Sequence, residues 1–275
     1  MRLAIGVMFG LLARGSCAGF GKPSVPPKPA AVPALALKQS GVPTFAASIP
    51  SLKLDAFPEV RQLHADPPVF EIPNFFSAAE CDAYVEKTER ADALQMNSQA
   101  YSSLSKRTST TWYLPFKTVP ELLSRAERLT GVPLECYEEP QVVRYETGQQ
   151  FSWHLDALPP PVVKAQAPAG NRLGTLIVYL NTLPSSAGGA TSFQDLKLAV
   201  KPEKGKALLF FPCFADGRSD DRTTHCGQVS METKWIAQIW IRQGPYAPAL
   251  PPGNSHSDGR AAVQSGSSSS SSSGV

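Results

Sequence analysis

Residues 144–156 read RYETGQQFSWHLD, and this stretch decides the fold. Aromatic and β-branched residues on either side of a turn at Gly148 are typical of two short strands. On the second predicted strand, residues 151–157, His154 and Asp156 stand two positions apart. Residues with this spacing project from the same face of a strand, so the imidazole and the carboxylate are expected to point into one cavity. A His-x-Asp pair is common by chance, so its interpretation depends on the rest of the chain.

The surrounding sequence has a helical start followed by many short strands. Ser77 and Glu80 have the spacing of a capping box, which predicts a helix from there to about residue 93. A second helix is predicted from Pro120 to about Leu129, with Gly131 as its stop. Strands are predicted at residues 141–145, 151–157, 173–180, 190–193, 198–200, 207–211 and 235–242. This order predicts an α+β fold with a double-stranded β-helix core, of the jelly-roll or cupin-like kind, braced by N-terminal helices.

Composition divides the chain into one central domain and two tails. The chain has 275 residues, of which 42% are hydrophobic, so one packed domain is feasible. We expect a signal peptide at 1–18, a Pro/Ala-rich linker or targeting segment at 19–68, one folded domain at 69–244 and a disordered Ser-rich tail at 245–275. The net charge of +3 is too small to favour nucleic acid as a partner, and no apolar run is long enough for a stable membrane span. The pattern indicates no particular oligomeric state.

The N-terminal segment indicates the compartment. A basic residue, an apolar run and the small residues Ser16-Cys17-Ala18 resemble a secretory signal with its cleavage site. This predicts the secretory pathway, with the endoplasmic reticulum or Golgi lumen as the location. Gly19-Phe20 leaves open a plastid location through a bipartite leader, and the apolar start of a cytosolic protein is the third interpretation. An even number of cysteines in the rest of the chain permits disulfides without assigning them, and these residues are Cys81, Cys136, Cys213 and Cys226.

Only two of the four histidines fall within the predicted domain. His64 precedes it, and His256 lies in the C-terminal tail. His154, Asp156 and His225 would supply two imidazoles and one carboxylate. That is the ligand set of a non-haem Fe(II) site with open positions for cosubstrate and O2. A zinc hydrolase uses the same ligand types, so ligand chemistry alone leaves both metals open.

Lys234 adds information about the ligand of this site. It starts a predicted apolar strand shortly after His225, where burying an ammonium group is costly unless it meets an anion. A dicarboxylate cosubstrate would supply that anion, whereas a solvated lysine at a strand end is the simpler alternative. Thr191 offers a hydroxyl and Tyr145 offers a phenol for the same ligand.

Three ordered blocks resemble the prolyl 4-hydroxylase family of 2-oxoglutarate/Fe(II) dioxygenases. Residues 144–156 resemble the family's Y-x-x-G-Q-x-Y-x-x-H-x-D block. Residues 172–191, with Arg-Leu-Gly-Thr, Tyr-Leu-Asn and Gly-Gly-Ala-Thr, resemble the next block. Residues 204–211 and 225–240 resemble the last one, so the similarity covers roughly residues 70–243.

The resemblance implies a role for each candidate site residue. It implies Fe(II) ligands, residues that hold 2-oxoglutarate, with Lys234 on its C5 carboxylate, and residues that contact a peptide. The implied metal ligands are His154, Asp156 and His225; the implied cosubstrate residues are Lys234, Tyr145, Thr191 and Trp240; the implied peptide residues are Arg107, Ser109, Glu138, Arg172 and Trp112. For Trp112 and Trp240, core packing is at least as good an explanation.

The implied activity is hydroxylation of peptidyl proline at C4, with consumption of 2-oxoglutarate and O2 and release of succinate and CO2. L-ascorbate would keep the iron reduced, and a Pro-rich peptide or protein would be the substrate. The polar residues 97–109 and the Pro-rich residues 158–170 are candidate lids. The alternatives are the same chemistry on another peptidyl residue, an amino acid or a small metabolite, and a non-catalytic cupin-like binding module.

The chain departs from the family pattern around the predicted site. Phe151 stands where tyrosine is usual, which removes a hydroxyl. The interval from His225 to Lys234 is one residue shorter than usual, and Gln228-Val229 replaces Pro-Val, so the turn before Lys234 is altered. Asp156 is retained, which argues against a halogenase.

Overall fold

Eight strands form the larger of two sheets, which we call the major sheet. The computed structural model describes residues 52–88, 94–97 and 107–247, and for 94–97 the backbone alone. From edge to edge the major sheet contains β1 (Arg61–Ala65), β2 (Pro68–Ile72), β10 (Ala207–Phe210), β7 (Arg172–Tyr179), β12 (Lys234–Arg242), β5 (Gln141–Tyr145), β4 (Thr110–Tyr113) and β3 (Leu94–Asn97). All neighbouring strands in it are antiparallel.

Four shorter strands form a second antiparallel sheet, which we call the minor sheet. In order across the sheet they are β6 (Phe151–His154), β11 (His225–Gly227), β8 (Thr191–Phe193) and β9 (Leu198–Val200). Residues of both sheets share one apolar cluster, so the sheets pack face to face. Two packed antiparallel sheets with helices on one side confirm the predicted double-stranded β-helix.

Alternation along the strands of the major sheet decides which side chains face the minor sheet. On β12, Ile236 packs in the cluster shared by the two sheets, whereas Ala237 packs in the cluster on the opposite face. Side chains two positions apart share a face, so Lys234 and Trp240 lie on the same side as Ile236. Tyr145 of β5 also belongs to the shared cluster. We call this side the inner face and the opposite side the outer face.

Two helices pack against the outer face, as the sequence predicts. Helix α1 (Ala78–Thr88) begins with the expected capping box. The Ser77 amide donates to the Glu80 carboxylate at 2.7 Å, and the Glu80 amide donates to the Ser77 hydroxyl at 3.2 Å. Helix α2 (Pro120–Thr130) ends at Gly131, whose φ of 64° suits glycine and whose amide donates to a carbonyl of the last turn.

The folded region begins earlier than the predicted start near Val69. A short 3-10 helix at Leu54–Ala56 and strand β1 both precede that position. Strand β1 is mostly polar and partly exposed, so it lacks the alternation by which a strand is recognised in a sequence. It forms because the fully buried β2 needs hydrogen-bond partners along both of its edges.

The Pro-rich residues 158–170, predicted as a lid, contain helix α3 (Pro160–Ala165) and are attached to the sheet at both ends. The Leu158 amide donates to the Asn171 side chain at 2.7 Å. Near the other end, the Gly244 amide donates to the Ala169 carbonyl at 3.0 Å. These contacts fix both ends of the segment, and its role as a lid stays a prediction.

Several predictions fall outside the described residues. They concern the signal peptide at 1–18, most of the linker at 19–68, most of the tail at 245–275 and residues 98–106 of the candidate lid at 97–109. The secretory location stays a prediction for the same reason. Within the described part of the chain, the four cysteines are buried free thiols. The helices there are all too short or too polar to cross a bilayer.

Candidate active site

The three predicted metal ligands lie together at one end of the minor sheet. His154 ends β6, His225 begins β11, and the two residues are paired across the antiparallel ladder. Asp156 lies two residues beyond the end of β6, not on the strand as predicted. The Nε2 atom of each histidine is 3.7 Å from an oxygen of the Asp156 carboxylate. One ligand atom from each residue lies within 4.8 Å of the others, which leaves room for a single divalent cation between them.

Both imidazoles are oriented by the backbone in the same way. The Nδ1 atom of His154 lies 2.8 Å from the Ser152 carbonyl oxygen, and that of His225 lies 3.0 Å from the Thr223 carbonyl oxygen. A carbonyl oxygen only accepts, so each Nδ1 carries the proton and donates it. The lone pair on each Nε2 is therefore free for a metal ion on the side of Asp156.

Burial and neighbouring charges hold the ligands in metal-binding protonation states. Burial, followed by the adjacent His225, lowers the pKa of His154 to about 3. Burial by itself would raise the pKa of Asp156, but the two imidazoles and Arg172 outweigh it and bring the pKa to about 2. At neutral pH the site therefore offers a neutral imidazole and a carboxylate, as metal coordination requires. This donor set fits the two-histidine, one-carboxylate Fe(II) site predicted from the sequence.

The major sheet fixes the segment that carries Asp156. The Thr175 hydroxyl, on the inner face of β7, donates to Oδ2 of Asp156 at 2.8 Å. Arg172 donates to the main-chain carbonyl of Asp156 at 3.2 Å. Thr175 was not predicted from the sequence, although alternation along residues 173–180 places it on the inner face.

An aromatic ring and an arginine cover His154. The Phe151 ring lies flat against the His154 imidazole, with ring centroids 3.4 Å apart and 14° between the planes. The Arg107 guanidinium lies 5.1 Å from the centre of the Phe151 ring, and its Nε donates to the Ser109 hydroxyl at 3.0 Å. The structure thus brings Arg107 and Ser109, both predicted as peptide contacts, next to the metal ligands.

Lys234 is a buried cation on the inner face, with only 2% of its surface exposed. Its Nζ donates to the Gly189 carbonyl at 2.9 Å and lies 4.2 Å from the centre of the Tyr145 ring. Burial lowers its pKa to about 7. In the described part of the chain, Lys234 forms no ion pair with a carboxylate. A solvated lysine is therefore excluded, and the buried charge suits an anionic ligand.

Thr191, on β8 of the minor sheet, lies near Lys234 of the major sheet. It is paired with Gly227 of β11, whose missing side chain leaves Lys234 Nζ 3.5 Å from where a Cβ would lie. The Tyr179 hydroxyl donates to the Thr191 hydroxyl at 2.8 Å, which leaves the Thr191 proton available to a ligand. Tyr179 was not predicted from the sequence. It lies on the inner face of β7, four residues after Thr175.

Glu138 and Arg172, both predicted as peptide contacts, form a buried ion-pair network. Arg172 donates to both Glu138 oxygens at 2.8 Å, and Arg242 donates to the same carboxylate at 2.9 Å. The Arg172 guanidinium also lies 3.6 Å from the centre of the Trp240 ring. Because Glu138 is already paired with two arginines, the network holds Arg172 and Trp240 in place beside Asp156.

Trp112 lies away from the metal ligands. It pairs with Val142, whose side chain belongs to the outer-face cluster, and it stacks on Trp235 with ring centroids 5.6 Å apart. Arg144 lies over both indole rings. The outer-face position corrects the prediction of a peptide contact and supports the packing alternative.

Comparison with known proteins agrees with this geometry. Residues 140–242 match a sequence profile described as the 2OG-Fe(II) oxygenase superfamily. The chain is 30% identical over 213 residues to prolyl 4-hydroxylase 2 of Arabidopsis thaliana, covering 66% of this chain and 70% of that protein. It is 33% identical over 128 residues to the human prolyl 4-hydroxylase subunit alpha-1, covering 46% of this chain but 24% of that protein. The chain thus spans about a quarter of the length of the animal subunits that it matches.

A solved structure provides an independent comparison of the fold. The viral collagen prolyl hydroxylase of Paramecium Bursaria Chlorella virus-1 matches with a TM-score of 0.50 and 25% identity, over 64% of this chain and 90% of that one. The metal-ligand geometry, the sequence profile and the similarity to the plant enzyme agree with one another. The chain therefore belongs to the prolyl 4-hydroxylase family of 2-oxoglutarate/Fe(II) oxygenases.

Proposed function

We propose that the protein is a 2-oxoglutarate- and Fe(II)-dependent dioxygenase that hydroxylates peptidyl proline at C4. One equivalent each of 2-oxoglutarate and O2 would yield succinate, CO2 and hydroxyproline. The observation that carries the proposal is the pairing of two features across the sheets. The candidate metal ligands His154, Asp156 and His225 lie on and beside the minor sheet. Lys234, a buried cation without a carboxylate partner among the described residues, lies on the inner face of the major sheet.

Different residues of the chain would bind the metal ion and the cosubstrate. His154, Asp156 and His225 would hold the iron through two nitrogens and one oxygen, which leaves positions open for cosubstrate and O2. When bound, Fe(II) supplies O2 activation coupled to decarboxylation of 2-oxoglutarate. Lys234 would neutralise the distal carboxylate of 2-oxoglutarate, and Thr191 would donate a hydrogen bond to it.

The enclosure of the site supports a reaction shielded from water. Asp156, His225 and Lys234 are each at most 5% exposed, so electrostatic contacts between these groups and a ligand are strong. Trp240 and Arg172 wall the site on the side of Asp156. A dry cavity limits unproductive oxidation when no substrate is bound, and ascorbate would reduce iron oxidised in such turnovers.

A peptide is the substrate class that Arg107 favours. Arg107 lies over the Phe151 ring, which stacks on His154, and its terminal nitrogen Nη2 is buried without a hydrogen-bond partner among the described residues. A carbonyl oxygen of an extended peptide is a suitable acceptor for it. Proline as the target rests on the names of the relatives, and another peptidyl residue is the alternative outcome of the test.

The proposal is tested by incubating the purified chain with Pro-rich peptides, Fe(II), 2-oxoglutarate and ascorbate. We expect succinate together with a peptide heavier by one oxygen, located on proline by fragmentation mass spectrometry. His225→Ala should abolish both products. Oxygen on a different residue would change the substrate, and absence of both products would contradict the proposal. Binding and biological effect that survive His225→Ala would favour a non-catalytic module.

A further inference from the structure

The orientation of His225 depends on a short turn outside the strands. Its Nδ1 donates to the carbonyl of Thr223, which is the last residue of a 3-10 helix at Asp221–Thr223. Thr223 is 1% exposed, so water cannot replace His225 as the hydrogen-bond donor to its carbonyl. Whatever fixes this turn therefore fixes the imidazole that presents Nε2 to the metal.

Asp220 is the N-cap of this 3-10 helix and holds it through its side chain and its main-chain carbonyl. Its side chain accepts a hydrogen bond from the Arg222 amide at 3.2 Å, which caps the short helix. Its carbonyl accepts from the Thr223 amide at 2.9 Å and from the Thr223 hydroxyl at 2.7 Å. Asp220 is 4% exposed, so these contacts lie in a buried environment.

Arg222 links Asp220 to a distant part of the chain. Its Nε and Nη2 donate to the two Asp220 oxygens at 2.8 and 2.7 Å, a bidentate pair. The same guanidinium donates to the Asp66 carboxylate at 3.1 Å through Nη2. Hydrogen bonds to Asp220 and Asp66 raise the pKa of Arg222 above its usual range. Asp66 follows β1 in the β1–β2 hairpin and lies outside the residues that match the family profile.

We propose that Asp66, Arg222 and Asp220 are positioning residues for the metal centre. Arg222 clamps Asp220 and the β1–β2 hairpin together, and the clamp holds the Thr223 carbonyl at the distance that His225 Nδ1 requires. Loss of the clamp leaves Thr223 free to shift, so the proton on the His225 ring is no longer confined to Nδ1. A proton on Nε2 blocks metal binding at that atom. The inference rests on the metal centre of the proposed function.

The test compares Arg222→Gln with Arg218→Gln in the full-length chain. Arg218 is a matched control because it lies in the same loop and pairs with Asp216, but the hydrogen bonds of its side chain do not reach Asp220 or Thr223. Co(II) alone is the probe, and its affinity is measured by titration calorimetry on the metal-free protein. We expect Arg222→Gln to weaken Co(II) binding by about tenfold, as is typical for residues that orient a metal ligand, and Arg218→Gln to leave it unchanged. Equal Co(II) affinity in both variants and the wild type would overturn the proposal.

The ring nitrogens of His225 give a readout that a purely structural role would not move. Nitrogen chemical shifts of the metal-free wild type should show the Nδ1-protonated tautomer, and those of Arg222→Gln a mixture of both tautomers. A lower melting temperature with an unchanged tautomer would overturn the proposal. Asp66→Asn should weaken Co(II) binding in the wild type but have no further effect in Arg222→Gln, because Asp66 acts through that guanidinium. A wild type that binds no Co(II) would contradict the proposed function, whereas the tautomer would still test the positioning role.

Discussion

At the scale of single residues, Lys234 is the most informative side chain of the site. Its ammonium group is buried against Tyr145 and the Gly189 carbonyl, with no carboxylate among the described residues to neutralise it. Burying such a group is costly, since an apolar side chain in its place would carry no desolvation penalty. The cost is offset if the partner is the cosubstrate itself.

The lowered pKa of Lys234 predicts a pH dependence for cosubstrate binding. The pKa is about 7, so the ammonium form that attracts a dicarboxylate predominates below pH 7 and is lost as pH rises. The pKa values of His154 and Asp156, about 3 and 2, keep both groups unchanged over this range. The affinity of the Co(II)-loaded protein for 2-oxoglutarate should be constant from about pH 6 to 7 and then fall by up to about tenfold per pH unit. Calorimetric titrations from about pH 6 to pH 9 measure this, and an affinity that does not change with pH would contradict it.

Residue types alone were enough to single out the cluster of His154, Asp156 and His225 and the buried Lys234, because few residue types coordinate metals and the chain contains only four histidines. It was not enough for Glu138 and Trp112. A glutamate or tryptophan looks the same in a sequence whether it contacts a ligand, pairs with two arginines or packs on a neighbouring indole. Only the partners decide, and these lie far away along the chain, as Arg242 does from Glu138.

At the scale of elements, strands with clear apolar alternation and helices with caps were predicted to within a few residues. Helix α2, for example, was expected from Pro120 to about Leu129 and runs to Thr130. Strands β1, β3, β4 and β11 were not predicted, and for β1 and β11 the reasons differ. Strand β1 is polar and partly exposed, and β11 is three residues long, too short for a period of two to be read. Such strands owe their existence to the neighbours that they pair with.

The ion-pair network of Glu138, which precedes β5, with Arg172 of β7 and Arg242 of β12 predicts a large stability effect for a small change. Glu138→Gln keeps the shape of the side chain but leaves Arg172 and Arg242 buried without their counter-charge. We expect a loss of about 3–5 kcal/mol in the free energy of unfolding, measured by urea denaturation.

Glu80→Gln is the matched control for this prediction. Glu80 also forms a pair of hydrogen bonds with an arginine, Arg125, but both side chains are about a quarter exposed. Glutamine also preserves the capping box. The control should cost less than about 1 kcal/mol. Similar losses in the two variants would show that the buried network has no special weight.

At the scale of the whole domain, the two sheets contribute different halves of the proposed ligand site. The metal ligands lie at the end of the minor sheet, whereas Lys234 projects from the major sheet. A metal ion and a dicarboxylate bound together would therefore connect the sheets, which otherwise meet mainly through apolar contacts.

This arrangement predicts coupled stabilisation by metal and cosubstrate. A ligand that binds the folded state but not the unfolded state stabilises the protein. At a free concentration of about 100 times its Kd, it adds about 2.7 kcal/mol to the free energy of unfolding. Co(II) and 2-oxoglutarate together should raise the melting temperature by more than the sum of their separate effects, since each would improve the binding of the other. Calorimetric melting curves with each ligand and with both provide the measurement. Lys234→Met should retain the Co(II) effect and lose the coupling, and strict additivity in the wild type would contradict the prediction.

The hydrogen bonds that orient His154 and His225 are both accepted by main-chain carbonyls two residues earlier. Substitution of the side chains at Ser152 or Thr223 leaves those carbonyl groups in the chain, because every residue type has one. The path of the backbone at these positions therefore determines the orientation of the two imidazoles. A substitution at 152 or 223 therefore disturbs the imidazoles only as far as it shifts this path, as loss of the Thr223 hydroxyl bond to the Asp220 carbonyl would.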